Sequence, residues 1–355
     1  MEFSNQTIRG MLESKERYLA PYAKRSTDAS RNFEEPKSEV RTEFQRDRDR
    51  ILHSNAFRRL KHKTQVFIAP KGDHYVTRLT HTLEVSQIGR TIARGLELNE
   101  DLVEAMTLGH DIGHTPFGHA GEDVLNDLVP DGFSHAKQSI RLVEVLEKNG
   151  KGLNLTNETK EGILNHSKPK GDFFSGTENI SLESQICRLA DAIAYVNHDV
   201  LDAIRSGWIT EKNLPKDVVH VLGNKHSTRV NTLVTDTIKT SSLLLQEQTD
   251  ASVIQISMSN EITSAMLALR DYMFENVYLP VGRNKETQAG IMIVKELYQY
   301  YLDNIADIPE IYVHLADSTH RAVADYVSGM TDNYAIRLAD KLFKGITKDI
   351  FKSLI

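Results

Sequence analysis

The sequence predicts an all-α fold, mainly α-helical, and two observations carry this prediction. Apolar residues recur every three to five positions through several long stretches, as they do along one face of a helix. Sustained alternation of apolar and polar residues, the pattern of strands, is confined to short stretches near Val253–Met258. The 355 residues contain no internal repeat and are enough for one large fold with additions or for two domains.

The first predicted helix follows a polar segment. Residues 26–50 contain a proline and lack an apolar period, which is typical of a loop or a flexible arm. The apolar period over residues 79–96 then predicts a helix that carries His81, and a second helix follows it. The run Gly109–Glu122 holds four glycines and a proline among three histidines. A tight non-helical loop should therefore join two helices there.

Further helices are predicted along the rest of the chain. Ser134 can cap a helix that Gly150 or Gly152 ends, and Ser181 can cap another that runs to about Ser206. Later segments with periods of three and four lie near residues 228–248, 259–274, 286–303 and 310–347.

The composition excludes several kinds of site. Cys187 is the single cysteine, so an intrachain disulfide, a four-cysteine zinc site and an iron–sulfur cluster held by one chain are ruled out. A metal must therefore be held by histidines and carboxylates. The sequence shows no apolar run near the roughly 20 residues that span a bilayer and no signal peptide, so we expect a cytoplasmic protein without membrane contact.

Charge and histidine are unevenly distributed. The formal net charge is −6, yet residues 1–63 hold 15 Lys and Arg against 10 Asp and Glu. A locally basic segment suits a phosphate-rich ligand or a nucleic acid, although a solvated surface explains it equally well. Ten of the 14 histidines lie between His53 and His198, which points to one site.

Candidate metal ligands lie at the end of the second predicted helix. His110 and Asp111 are adjacent, and they can converge on one ion only where the helix ends, which the following glycines indicate. Imidazole with carboxylate suits Zn, Fe, Mn, Ni or Co, and His81 and Asp191 are the best further donors. The alternative is that this His–Asp dipeptide lies on the surface by chance and binds no metal.

The helix after Ser181 carries a polar face. Asp191, Tyr195, Asp199 and Asp202 share this face, apart from the apolar stripe, and no lysine accompanies them. A solvated face is the ordinary explanation. Carboxylates gathered this closely repel one another unless a cation or hydrogen-bond donors neutralise them, which favours a face turned to a ligand.

Acid–base candidates follow the His–Asp pair directly. His119 can protonate a leaving oxygen, and Glu122, three residues later, can orient it and raise its basicity. His114 either assists them or contacts the metal ligands from behind. The alternative is that all three residues cap helices or fill turns.

Five segments carry motifs in a fixed order along most of the chain: Arg46–Phe67, Arg78–Arg90, Gly109–Glu122, Arg188–Ala203 and Val323–Ala335. In this order they resemble the HD-domain metal-dependent phosphohydrolases, and specifically the deoxynucleoside triphosphate triphosphohydrolases of the dGTPase family. The sequence departs from the family pattern at Thr115, where proline is more usual, and at Ala192, where an acidic residue is common.

The resemblance implies an HD-domain fold with appended helices, and we expect three regions. These are an N-terminal arm over residues 1–50, partly flexible, a phosphohydrolase core over residues 51–210 and a helical region over residues 211–355 packed on the core. The same resemblance implies which residues bind the metal, transfer protons and contact the substrate. His81, His110, Asp111 and Asp191 hold the metal; His119 and Glu122 transfer protons with help from His114; Arg78 contacts the α-phosphate; Tyr195 contacts phosphate or sugar; Gln65 and Asp199 bind the deoxyribose 3′-hydroxyl.

The implied activity is hydrolysis of a dNTP at the α-phosphorus, which yields a deoxynucleoside and inorganic triphosphate. The cofactor is a divalent ion, Mg, Mn, Fe, Co, Ni or Zn, and the implied assembly is a homo-oligomer. Base preference, a nucleotide activator and a single-stranded DNA effector stay open. Two alternatives also stay open: an HD phosphohydrolase that acts on nucleoside monophosphates, cyclic nucleotides or alarmone nucleotides, and a non-catalytic nucleotide-sensing regulator.

Overall fold

A computed structural model describes the chain over residues 7–68, 74–167, 174–177, 179–247, 254–346 and 350–351. Over these residues the chain is helical, and extended backbone pairs only in two isolated bridges, Arg31 with Thr156 and Thr64 with Thr77. The all-α prediction is confirmed. The short strand predicted near Val253–Met258 is wrong over residues 254–258, which form no ladder, and Val253 lies outside the described residues.

The helices of the first half are α1 Ile8–Lys15, α2 Glu43–Leu52, α3 Asn55–Arg59, α4 Arg78–Gly95, α5 Glu100–Gly109, α6 Gly118–Leu128, α7 His135–Arg141, α8 Glu147–Gly150 and α9 Asn157–Asn165. The helices of the second half are α10 Leu182–Arg205, α11 Lys216–Leu222, α12 His226–Glu247, α13 Asn260–Met273, α14 Leu279–Gly282, α15 Lys285–Asp303, α16 Glu310–His314, α17 Thr319–Ser328 and α18 Asp332–Leu342. Two π-helical turns, Leu142–Leu146 and Phe274–Tyr278, continue α7 and α13. Among the described residues, no helix combines the length and apolarity needed to cross a bilayer.

Helix α2 corrects the prediction of a loop or arm over residues 26–50 in its last part, residues 43–50. The helix starts after Thr42, whose side chain forms a capping box with Gln45. Its buried face alternates apolar residues with charged ones, Glu43 and Asp47, which ion-pair with arginines from the preceding segment. The apolar period is therefore hidden, because buried charges occupy positions that a hydrophobic pattern would fill.

The caps predicted at two serines are confirmed. The Ser134 hydroxyl accepts a hydrogen bond from the backbone N–H of Lys137, and the Ser181 hydroxyl accepts one from Ser184. Helix α5 ends at Gly109, as predicted. The loop that follows is shorter than predicted, since α6 begins at Gly118 and takes up the last five residues of Gly109–Glu122.

Three hydrophobic clusters meet at the segment that carries the His–Asp pair. The first is built mainly by α4 and α10–α13, the second by α6, α15, α17 and α18, and the third by α2, α3, α9 and neighbouring turns. Val103 packs in the first cluster, Ile112 in the third and Phe117 in the second. Helix α5 and the loop after it are thereby packed into all three clusters, which positions the polar side chains of the loop.

Candidate active site

The four predicted metal ligands lie together although they come from three helices. His81 is on α4, His110 and Asp111 follow α5, and Asp191 is on α10. The Nε2 atom of His81 lies 3.2 Å from Asp191 Oδ1 and 3.4 Å from His110 Nε2. The Nε2 atom of His110 lies 3.5 Å from Asp111 Oδ1 and 4.0 Å from Asp191 Oδ1.

These residues fit a divalent ion by the direction of their donor atoms. His110 Nδ1 lies 2.6 Å from the Thr107 carbonyl oxygen, which only accepts hydrogen bonds, so the proton of the neutral ring is on Nδ1. The Nε2 lone pair therefore faces His81 and Asp191. Two imidazoles with two carboxylates are a ligand set for Zn, Fe, Mn, Co or Ni.

A chain of buried groups orients His81 from behind. His81 Nδ1 lies 2.8 Å from His198 Nε2, and His198 Nδ1 lies 2.9 Å from Asp199 Oδ1. The Tyr278 hydroxyl donates to Asp199 Oδ2 at 2.7 Å. Burial lowers the pKa of His198, but Asp199, Glu84 and Asp202 together raise it above its usual value. Such partners fix the tautomer of a metal-binding imidazole.

Arg78 lies beside Asp111 at the start of α4. Its Nη1 donates to Asp111 Oδ2 at 2.7 Å, and the side chain is only 1% exposed. Its Nε and Nη2 atoms have no hydrogen-bond partner among the residues that the structure describes. Burial alone would raise the pKa of Asp111, but the neighbouring His114, His110 and Arg78 side chains hold it well below its usual value.

The acid–base candidates form a second group on α6. His119 Nδ1 lies 3.1 Å from Glu122 Oε2, and the His119 side chain is 56% exposed. Burial lowers the pKa of His119, but the hydrogen bond and charge of Glu122, together with the charge of Asp111, raise it above its usual value. Glu122 Oε1 accepts from the backbone N–H of His135 and lies 2.7 Å from His135 Nδ1. Glu122 thus holds His119 with much of the His119 ring exposed.

His114 bridges the two groups. Its Nε2 lies 3.2 Å from Asp111 Oδ1, its ring stacks on His135 at 3.9 Å, and its centroid is 5.1 Å from that of His119. Burial and the charge of Arg78 lower the pKa of His114 well below its usual value, which favours a neutral ring.

A cavity adjoins the acid–base group. Gln65, His119, Tyr195 and Tyr278 line it, together with Phe117 and other apolar residues. The Oε1 atom of buried Gln65 has no partner among the described residues. The structure does not bring Asp199 to this cavity, because Asp199 is buried and its Oδ2 bonds to Tyr278; the role predicted for Asp199 stays a prediction.

Four residues of the site were missing from the sequence predictions. The predicted residues are contacted by His135, His166, His198 and Tyr278. His198 belongs to the polar stretch of α10, so its position carried a signal. His135, His166 and Tyr278 come from α7, from the end of α9 and from the π-helical turn after α13. Tertiary packing brings them to the site, and no local sequence motif marks them.

The matches to known proteins fall on these same elements. Residues 78–196 match the HD domain, a span that includes all four predicted metal ligands, and residues 256–341 match the phosphohydrolase-associated domain. The helical fold and the clustered His and Asp side chains thus define an HD-domain phosphohydrolase.

Curated relatives narrow this class. A deoxyguanosinetriphosphate triphosphohydrolase-like protein of Caldanaerobacter subterraneus is 52% identical over 92% of this chain and 92% of its own length. A protein of the same name from Clostridium tetani is 45% identical over 97% of this chain and 98% of its own length. The chain therefore belongs to the family of deoxyguanosinetriphosphate triphosphohydrolase-like proteins.

Proposed function

We propose that this chain hydrolyses dNTPs at the α-phosphorus to a deoxynucleoside and inorganic triphosphate. The observation that carries the proposal is Arg78, a buried guanidinium beside Asp111 with two donor atoms that no described residue uses. Buried donors without partners are costly, and a phosphate oxygen is the partner that an arginine fork fits best. The names of the relatives support a nucleoside triphosphate as the source of that phosphate.

Each group of the site has a task in this reaction. A divalent ion held by His81, His110, Asp111 and Asp191 supplies Lewis acidity at the phosphate when it is bound. Arg78 offsets the charge that gathers on the phosphorus. His119 protonates the departing 5′-oxygen, and Glu122 raises the pKa of His119, which favours the protonated ring. His114 stays neutral and holds the Asp111 carboxylate in place.

The sugar is assigned to the cavity beside His119. The Oε1 atom of Gln65, which no described residue bonds, accepts a hydrogen bond from the 3′-hydroxyl, and Tyr195 closes the space beneath the 2′-carbon. Asp199 acts on this hydroxyl only through Tyr278, which donates to Asp199 and lines the cavity. We also propose a cytoplasmic homo-oligomer, on the resemblance to the family.

The test is product analysis of the purified chain with each dNTP and each of several divalent ions. We expect deoxynucleoside and triphosphate in equal amounts. Ribonucleotides and 2′,3′-dideoxynucleotides should react more slowly, because a polar group left unpaired costs about 1–3 kcal/mol, roughly 5–150-fold in rate. Stepwise release of phosphate, or turnover restricted to monophosphates or cyclic nucleotides, would contradict the proposal, as would binding without turnover.

A further inference from the structure

One buried carboxylate connects the phosphohydrolase-associated domain to the active site. Asp332, the first residue of α18, is 6% exposed. Its Oδ1 accepts a hydrogen bond from the Phe117 backbone N–H, and its Oδ2 accepts one from the Thr64 backbone N–H, each at 2.9 Å. Asp332 lies within residues 256–341, which match the associated domain, whereas Thr64 and Phe117 lie in the first half of the chain. Both bonds therefore join distant parts of the sequence.

The two N–H groups lie next to residues with proposed tasks. Thr64 directly precedes Gln65, and Phe117 lies two residues before His119. Phe117 has a left-handed backbone conformation, with φ of 62°, and provides no side-chain cap for α6. A residue other than glycine keeps such a conformation only where neighbouring contacts hold it. The carboxylate of Asp332 is such a contact, because it accepts the N–H of Phe117 itself.

Lys63 makes the corresponding bonds to carbonyl oxygens. Its ammonium group is buried and donates to the carbonyl oxygen of Ser328 at 2.8 Å and to that of His114. Ser328 is the last residue of α17 and belongs to the associated domain, whereas His114 lies in the loop after α5. These four bonds, two to Asp332 and two from Lys63, form a brace that holds the segment from His114 to Phe117 at both ends.

We propose that Asp332 is a positioning residue, which sets the places of Gln65 and His119 relative to each other. It acts through its two backbone partners, and a misplacement of about 1 Å at a reaction site costs about 10²-fold in rate. The tasks of Gln65 and His119 rest on the proposed function, whereas the brace itself does not. The alternative is that Asp332 only stabilises the packing of the associated domain.

The experiment compares the full wild-type chain, loaded with Mn²⁺, with Asp332→Asn and Asp332→Ala. Asparagine keeps one acceptor oxygen and alanine keeps none, so kcat should fall less in Asp332→Asn than in Asp332→Ala, where the loss should reach about 10²-fold. The preference for a dNTP over its 2′,3′-dideoxy analogue should fall in the same order, from roughly 5–150-fold toward equal rates, because Gln65 is displaced. Bound metal, by elemental analysis, should match wild type, because both oxygens of Asp332 bond to backbone N–H groups and not to a proposed metal ligand.

Arg31→Met is the matched control for lost stability. The Arg31 side chain bonds to Glu43, Asp47 and Asn154, so its loss removes a buried ion pair outside the brace. Assayed well below its unfolding temperature, this variant should keep the kcat and the dideoxy preference of wild type. If Asp332→Ala keeps the dideoxy preference of wild type, or changes no more than Arg31→Met, the positioning role is overturned.

Hydrogen exchange measured by mass spectrometry tests the brace without turnover. Peptides that contain Thr64 or Phe117 should exchange faster in both variants of Asp332 than in wild type, and peptides from α13 should not change. If wild type hydrolyses no dNTP, the proposed function fails and the exchange alone decides the brace. Unchanged exchange of both peptides overturns it. Since asparagine has the shape of aspartate, Asp332→Asn keeps the test decisive even if Asp332→Ala does not fold.

Discussion

Asp111 is the residue on which the charges of the site converge. Its carboxylate contacts Arg78, His114 and His110, and it is almost completely buried. A buried carboxylate surrounded by donors stays ionised, which the lowered pKa of Asp111 reflects. Removal of this charge must therefore affect both the bound ion and the groups left behind.

Asp111→Ala should abolish bound metal and activity together. The substitution removes a ligand and leaves Arg78 as an unpaired buried charge, so the free energy of unfolding should also fall. Elemental analysis and a thermal unfolding curve measure the two effects. Asp271→Ala, which removes an exposed carboxylate outside the site, is the control and should change neither. Full metal occupancy in Asp111→Ala would refute the assignment.

The pH dependence of turnover should reveal His119 as the acid. The protonated ring is the active form, so kcat falls as the pH rises through the pKa of His119. Glu122 raises this pKa against the effect of burial, and Glu122→Gln should therefore move the alkaline limb to lower pH. In His119→Ala the metal should stay bound while kcat falls about 10²–10⁴-fold. An unshifted limb in Glu122→Gln would mean that another group is the acid.

For individual site residues, the sequence predicts those that share a local motif and misses those that tertiary packing brings to the site. His110, Asp111, His114, His119 and Glu122 occur within 13 residues, so their proximity is visible in the sequence. The histidines at 135 and 166 carry no such signal, since α7 and α9 bring them to the loop from more distant parts of the chain.

Among the elements, the loop between α5 and α6 depends on a close approach at Gly113. A Cβ atom there would lie 2.3 Å from the His135 carbonyl oxygen and 2.3 Å from the Ser139 backbone nitrogen. The Gly113 backbone N–H also donates to the Ser139 hydroxyl. The loop with the His–Asp pair therefore rests directly on the backbone of α7.

Gly113→Ala should destabilise the protein and lower its turnover. Backbone atoms of α7 cannot rotate away as a side chain can, so the shift should cost about 1–3 kcal/mol or more and displace His135. Denaturant unfolding and kcat measure the two effects. Gly282→Ala is the control for stability, because no atom of the described residues lies within 4 Å of the added Cβ there. Equal stability of the two variants would mean that the loop does not rest on α7 in this way.

The sequence predicts element ends where a capping side chain is present and misplaces them where backbone conformation decides. Ser134 and Ser181 begin α7 and α10 as predicted. Phe117, which precedes α6, takes a left-handed conformation with φ of 62° and makes no side-chain cap. A non-glycine residue rarely adopts this conformation, so the early start of α6 could not be predicted.

For the whole molecule, buried ion pairs join the N-terminal segment to the core. Arg31 Nη1 lies 2.6 Å from Asp47 Oδ1, and the Arg31 guanidinium also pairs with Glu43. Arg46 and Arg50 pair with Glu35. Much of the basic charge that suggested a phosphate ligand is thus paired within the segment. Composition reveals the charge, but the fold decides which side chains neutralise it.

Arg31→Met should lower the free energy of unfolding by about 3–5 kcal/mol, because Asp47 would stay buried without its ion-pair partner. Arg17→Met, at an exposed arginine of the same segment, should cost little. Urea denaturation of both variants measures the difference. A similar small loss in both would show that the segment contributes little to the stability of the core.

Hydrolysis of a dNTP in oxygen-18 water tests the central claim most directly, since the site is proposed to direct water to the α-phosphorus. Mass spectrometry of the products locates the labelled oxygen. The label should appear in the triphosphate and not in the deoxynucleoside, because the bond between the phosphorus and the 5′-oxygen breaks and His119 protonates that oxygen. Label in the deoxynucleoside, or in a released terminal phosphate, would contradict the account.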